Sequence, residues 1–375
     1  AITMLGKNAK MTRDYDFIFK IVKAAEKSPA AFKINDKIVL SSYCADAISP
    51  TEWKPIISAL KKATNGRLIF ISEIRSKFYK ANGAYLKNSG KVSTETIREL
   101  KEFIRSYLDV SDGVLFAGCN HIVKDSPGIS NYRFGDAFYK DILIPVIVSV
   151  FNEPKYKEKY LGLSAAKGYF YTRHASAGQN EGGTLTLRQS METALAAKPD
   201  FIIMPEWNEA NENTHIEPTI YDSFTNRRVI NHYRKSTAVV NENRELPDLI
   251  ISYRSELVYG ETLNIELLNL PDTKYLEDTT KVNVCLKNVD GKVVKSFAPM
   301  TMSNRRLDVK HLKAPSGDFA SERVLVPELS ISRNGKIQQI KGLSSVLLKS
   351  PPNMNKKYVK QPIRDLCNIK QDDLQ

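Results

Sequence analysis

The chain has 375 residues, 42% of them apolar, enough to bury one large core and a smaller one. Its formal net charge is +13, yet the basic residues are scattered, with Lys61-Lys62 and Lys356-Lys357 the densest pairs, so nucleic acid is not an expected partner. No window approaches the roughly 18 uninterrupted apolar residues of a membrane span, and the first residues lack the basic-then-apolar order of a signal peptide.

In chain order, short apolar runs alternate with helical patterns up to about residue 253, the pattern of parallel β/α units. The expected strands are Ile2–Leu5, Ile38–Tyr43, Arg67–Glu73, Gly113–Gly118, Pro145–Phe151 and Phe201–Trp207. Between them, Ser49-Pro-Thr-Glu52 combines an N-cap, a proline at the first helical position and a reciprocal glutamate, followed by Trp53, Ile56, Ile57 and Leu60 on one face. Ser93 opens a second helix with Ile97, Leu100, Ile104 and Leu108 on one stripe, and Thr186-Leu-Arg-Gln189 caps a third that Pro199 closes. The strand runs are apolar without alternation, so the sheet is covered on both faces. No glycine-rich phosphate loop follows any strand, which favours a (β/α)8 TIM-type barrel over a nucleotide-binding sheet. Such a barrel needs eight strands and six are visible, so two N-terminal strands are expected upstream of Ala1.

Past residue 253 the pattern changes to Leu263–Leu270, Lys281–Lys287, Lys292–Phe297, Arg323–Val326 and Val346–Lys349, with turns at Asn288-Val-Asp-Gly291 and Asn334-Gly335. An antiparallel β-sandwich over 254–350 is expected after a barrel over 1–253, with a polar tail over 351–375 that wraps the barrel or frays. The four cysteines, Cys44, Cys119, Cys285 and Cys367, show no metal or redox spacing and are expected as buried free thiols.

The chemistry concentrates in Asp200-Phe-Ile-Ile-Met-Pro-Glu-Trp-Asn-Glu209, a buried strand running into polar residues, where a barrel keeps its catalytic groups. Glu206, Glu209 and Glu212 follow at steps of three. Cleavage of a glycosidic bond needs an acid for the leaving oxygen and a second carboxylate, so Glu209 and Glu212 are the catalytic candidates. Trp207, beside Asn208, offers an apolar platform for a sugar ring. His215 extends the three-residue step and has the right type for a metal ligand, but no second ligand cluster accompanies it; neither a metal nor any other cofactor is expected. A rival pairing takes Glu153, in Phe151-Asn-Glu-Pro154, as acid with Glu209 or Glu206 as nucleophile. Tyr43, Glu73, Asn120, His121, Tyr171 and Arg173 stand at expected strand ends and could line a groove. Arg173 and His121 suit a carboxylate or sulfate on an acidic sugar.

Residues 200–219, DFIIMPEWNEANENTHIEPT, resemble the signature N-E-W-H-E-G-T-Q-I-E-P of glycoside hydrolase family 99, and also the W-N-D/E-x-x-E-S-x-Y-I-x-P stretch of family 71 and WbsX-like proteins. Ser41-Ser-Tyr43 with Pro50-Thr-Glu-Trp53, Asp112-Gly-Val-Leu-Phe116 and Tyr171-Thr-Arg173 extend the resemblance over most of residues 1 to about 220. The resemblance implies an enzyme that cleaves an α-linked polysaccharide internally without a metal, and hence an extracytoplasmic setting. It puts Glu209 as base toward the sugar's own 2-hydroxyl and Glu212 as acid to the leaving group, with Glu217 in the matching Ile-Glu-Pro; in a family 71 reading the pair activates water instead. The pattern departs at Ala210-Asn211, where family 99 keeps Trp-His, and at Asn213, where it keeps glycine. Two other readings stand beside the hydrolase: a non-hydrolytic glycan-binding or glycosyltransferase-like relative, and a basic protein holding an anionic glycan.

Overall fold

The computed structural model describes residues 2–3, 14–116, 138–170, 178–179, 182–205, 207–210, 214–234, 246–272, 277–319, 321–333, 336–340, 342–349 and 358–363. The chain is mixed α/β, and its contacts divide it into two units: Ala1–Asn180 with Gln189–Thr214, and Glu181–Arg188 with His215–Gln375.

In the first unit, β1 (Ile2–Thr3), β3 (Lys37–Tyr43), β4 (Leu68–Glu73), β5 (Gly113–Phe116), β6 (Tyr160–Ser164) and β9 (Phe201–Ile203) lie side by side in chain order, every pair parallel. The short β2 (Lys33–Ile34) runs antiparallel on β3, and β7 (Tyr169–Phe170) with β8 (Gly178–Gln179) makes a separate ribbon. Among the described residues the sheet is an open path, with no pairing of β9 to β1. Helices α1 (Asp14–Lys27), α2 (Pro50–Ala63), α3 (Ser76–Lys87), α4 (Thr94–Leu108), α5 (Ile144–Phe151) and α6 (Leu185–Ala196) occupy the connections. The start of α2 is the expected capping box: the Glu52 amide donates to Ser49 Oγ, and Glu52 Oε2 accepts from the Ser49 amide at 3.0 Å. Ser93 Oγ caps α4 by accepting from the Thr96 amide. The third helix opens at Leu185, so Thr186 lies inside it and Thr184 precedes it.

Strand alternation sorts the side chains onto two faces. Ile38, Leu40, Leu68, Phe70, Val114, Phe116, Leu161 and Leu163 join one apolar cluster with the helices. Val39, Ile69, Ile71, Leu115, Tyr160, Phe201 and Ile203 form a second cluster on the other face. That face is closely approached at two glycines: a Cβ on Gly113 would lie 2.2 Å from the Tyr160 carbonyl oxygen, and one on Gly162 2.6 Å from the Phe201 ring.

One expected strand is a helix. Pro145–Phe151 falls in α5, which continues a helical turn over Tyr139–Leu143, and Val146, Ile147 and Val150 form a stripe buried against the shared core that α4 also lines. A short, wholly apolar run fits either structure, and only its packing partner decides. The strand that pairs with β5 is Tyr160-Leu-Gly-Leu-Ser164, and Gly162 breaks the apolar run that would have marked it. The last strand is shorter than expected, ending at Ile203.

In the second unit, β16 (Asp308–Pro315), β12 (Thr262–Leu270), β10 (Asp248–Arg254) and β20 (Tyr358–Pro362) form one antiparallel sheet in that order. A second sheet has the order β11 (Glu256–Val258), β19 (Val346–Lys349), β17 (Val324–Arg333), β13 (Thr279–Lys287), β14 (Val293–Ser296), with β15 (Met300–Ser303) on β13 and β18 (Lys336–Ile340) on β17. Helix α7 (Thr225–Tyr233) precedes them. Both sheets send residues into one core, Leu249, Ile251, Ile265 and Leu267 from the first and Val284, Leu286, Leu329 and Ile331 from the second. The turn at Asn288 is the expected hairpin: Asn288 Oδ1 accepts from the amides of Asp290 and Lys292, and Gly291 takes φ +80°. Residues 358–362, in the segment expected to wrap the barrel or fray, pair along β10 instead. Cys44 and Cys285 are free, but each is half-buried rather than buried; Cys119 and Cys367 lie outside the described residues.

Candidate functional site at the strand ends

All strands of the parallel sheet end on the same edge, and in such sheets that edge gathers reactive side chains. The last residues of β3 and β4, Tyr43 and Glu73, lie on the face of Val39 on β3 and of Ile69 and Ile71 on β4, an even number of positions along each strand. Neighbouring register, with Ser42 opposite Ser72, brings the two ends together.

Glu73 is 2% exposed. One of its oxygens pairs with the Arg75 guanidinium, and the other accepts from the Cys44 amide at 2.8 Å. Cys44 takes a left-handed conformation, φ 51°, directly after β3, which turns the chain away from the strand direction there. Arg75 lies over the Tyr43 ring, its guanidinium carbon 4.1 Å from the ring centre, and donates to the Tyr43 hydroxyl at 3.2 Å. Asp46 holds the backbone at the start of α3, accepting from the amides of Arg75 and Ser76 at 3.0 and 2.5 Å. Burial pushes the Glu73 carboxyl above its ordinary value, although Arg75 and the Cys44 amide pull the other way. Burial likewise raises the Tyr79 hydroxyl and the Cys44 thiol, and it opposes the Arg75 charge, which Glu73 together with Tyr79, Tyr43 and Cys44 more than restores. Chemically the arrangement offers an exposed aromatic ring, a fork of N–H donors and a desolvated carboxylate.

The loop after β9 leaves the same edge. Trp207 is 61% exposed, Asn208 is exposed, and Glu209 is half-buried, with the Ala210 amide closing a turn onto the Asn208 carbonyl. Glu206 and Glu212 lie outside the described residues, as do Asn120, His121, Tyr171 and Arg173. His215 and Glu217 belong to the second unit. His215 is buried there, its Nε2 3.8 Å from Asp222 Oδ2, while Lys360 Nζ is 3.3 Å from Asp222 Oδ1; Glu217 is half-buried. The rival acid Glu153 is on the wrong edge. It follows α5 and precedes β6, at the N-terminal side of the sheet, where two nitrogens of Arg105 grip it and hold its carboxyl below the usual range.

Arg75, Asp46 and the buried Lys167 were not singled out by sequence. The signal available for the first two was their place within three residues of an apolar run's end; for Lys167 it was its place three residues after β6.

No family model and no curated protein matches this chain. Among solved structures it is similar to the glycoside hydrolase family 99 endo-α-mannosidase from Bacteroides thetaiotaomicron, at 16% identity and a TM-score of 0.42, over 61% of this chain and 67% of that one. It is also similar to a calcium-binding mutant of Bacteroides uniformis β-glucuronidase 2, at 12% identity and 0.44, over 94% of this chain but only 38% of that one. A third likeness, to the CARDB domain of a Pyrococcus furiosus protein, has 15% identity and a TM-score of 0.19, over 28% of this chain and 97% of that one.

Proposed function

We propose that the chain is a glycoside hydrolase acting within an α-linked polysaccharide of the α-mannan or α-glucan type, on a (β/α)8-type frame followed by a β-sandwich. The observation that carries this reading is the place of the loop 205–218: it departs from the C-terminal end of β9, the edge at which Tyr43 and Glu73 also stand. The resemblance of residues 200–219 to the family 99 and 71 signatures supports the same reading. In it, Glu209 takes the proton of the sugar 2-hydroxyl, whose oxygen closes on the anomeric carbon, while Glu212 gives its proton to the departing glycosidic oxygen. Water then opens the anhydro-sugar by the reverse proton movements. On an α-glucan the same pair activates water directly. Trp207 and Asn208 serve as ring platform and hydroxyl partner, with Glu206, Tyr171, Arg173 and His121 as further contacts, and the enzyme works outside the cytoplasm.

The test is Glu209→Gln and Glu212→Gln, made singly, with reducing-end release from yeast α-mannan and α-1,3-glucan as readout. Each variant is expected to lose about 10²–10⁴-fold in turnover while still binding oligosaccharide. If both release reducing ends like the parent, the assignment is wrong. Ala210-Asn211, standing where the family keeps Trp-His, favours a second reading in which the site binds glycan without cleaving it; a parent that binds either polysaccharide and releases no reducing ends would establish that one.

A further inference from the structure

We propose that Tyr43 and Arg75, with Glu73 as positioning residue, form a subsite for a neutral sugar ring and select it over a uronate or sulfated one; this rests on the glycan-processing reading above. Tyr43 is 38% exposed and its ring is held flat by the guanidinium lying on it, which makes it a platform for the apolar face of a sugar. Arg75 is the donor of the pair. One of its terminal nitrogens bonds Glu73, the other bonds the Tyr43 hydroxyl, and the Tyr79 hydroxyl also engages the group.

The sign of the site follows from what surrounds that cation. Glu73 pairs with the guanidinium itself, while the Asp46 carboxylate is taken up by the backbone amides of Arg75 and Ser76. An incoming carboxylate or sulfate meets a cation already neutralised by Glu73. A sugar hydroxyl, which needs only an N–H to accept from and an oxygen to donate to, meets no such opposition. The chain-wide excess of positive charge points the other way, but exposed charges beyond roughly 8–10 Å are screened at physiological salt, whereas these groups are in contact.

The experiment is calorimetric titration of the full chain, of Tyr43→Ala and of Glu73→Gln. The neutral probes are α-manno-oligosaccharides and α-1,3-gluco-oligosaccharides, and the acidic probe is an α-linked galacturonate oligosaccharide, with circular dichroism as a check of folding. The parent is expected to bind a neutral probe more tightly than the acidic one. Tyr43→Ala, a change at an exposed side chain, is expected to raise Kd for the neutral probe about tenfold. Glu73→Gln is expected to narrow the preference for neutral over acidic sugar, an effect that loss of packing alone does not produce. Should Glu73→Gln not fold, Arg75→Lys keeps the charge without the planar fork and is expected to weaken neutral-probe binding several-fold. If the parent binds neutral probe and Tyr43→Ala binds it equally well, the subsite is wrong while the glycan reading stands. A parent that prefers the acidic probe overturns the selectivity. A parent that binds none of the probes removes the glycan reading, and the subsite with it.

Discussion

Glu73 is a carboxylate that the fold desolvates and then steadies with one guanidinium and one amide. Its pKa is raised, so the folded chain holds this proton more tightly than the unfolded chain does. Stability linked to it therefore falls as pH climbs from the ordinary carboxylate value through the raised one. Glu73→Gln removes that slope. The expected outcome is a melting temperature for the parent that drops relative to the variant across this window; parallel curves would show that Glu73 ionises as it does in the unfolded chain. At Gly113 the constraint is steric. A methyl there points at a backbone oxygen 2.2 Å away, which no rotamer change relieves. Gly113→Ala is expected to cost about 3 kcal/mol, at the upper end of ordinary overpacking, measured by denaturant midpoint, and a variant as stable as the parent would mean that β5 and β6 can part without loss.

At the scale of elements, the ties within the second unit run through Glu266 on β12. One of its oxygens accepts from the amide and hydroxyl of Thr184, just ahead of α6, and from Ser252 on β10; the other accepts from Arg188 at 2.8 Å. Every one of these groups is buried. Glu266→Ala leaves Arg188 charged and unmatched, so a loss of about 3–5 kcal/mol is expected, read by chemical unfolding; a loss under about 1 kcal/mol would show that water replaces the carboxylate. Local signals such as the Ser49–Glu52 box were readable from sequence because cap and partner are three residues apart. The helix over Ile144–Phe151 was not, because its residues suit either structure until a neighbour is known. Nor was β20, whose Tyr-Val-Lys-Gln-Pro becomes a strand only by pairing with β10, more than a hundred residues earlier. At the strand-end site Tyr43 and Glu73 could be named as termini of apolar runs, but their grouping with Arg75 depends on the β3–β4 register, and a single sequence does not carry register.

For the whole molecule, the cores are separate lists of residues: Trp53, Leu60, Ile104 and their neighbours in one unit, Ile265, Leu329, Val346 and theirs in the other. Two calorimetric transitions are therefore expected, with Ile265→Ala lowering one of them by about 2–5 kcal/mol and leaving the other in place. A single transition that shifts as a whole would show that the chain melts as one cooperative body. The path of the chain adds a practical consequence. Residues 181–188 count with the second unit although residues 189–214 return to the first. A protease cut or gene truncation just before His215 would thus not release an intact C-terminal piece: Glu266 would be stranded in an apolar interior without Thr184 or Arg188, and the fragment would be prone to open and aggregate where the uncut chain is not.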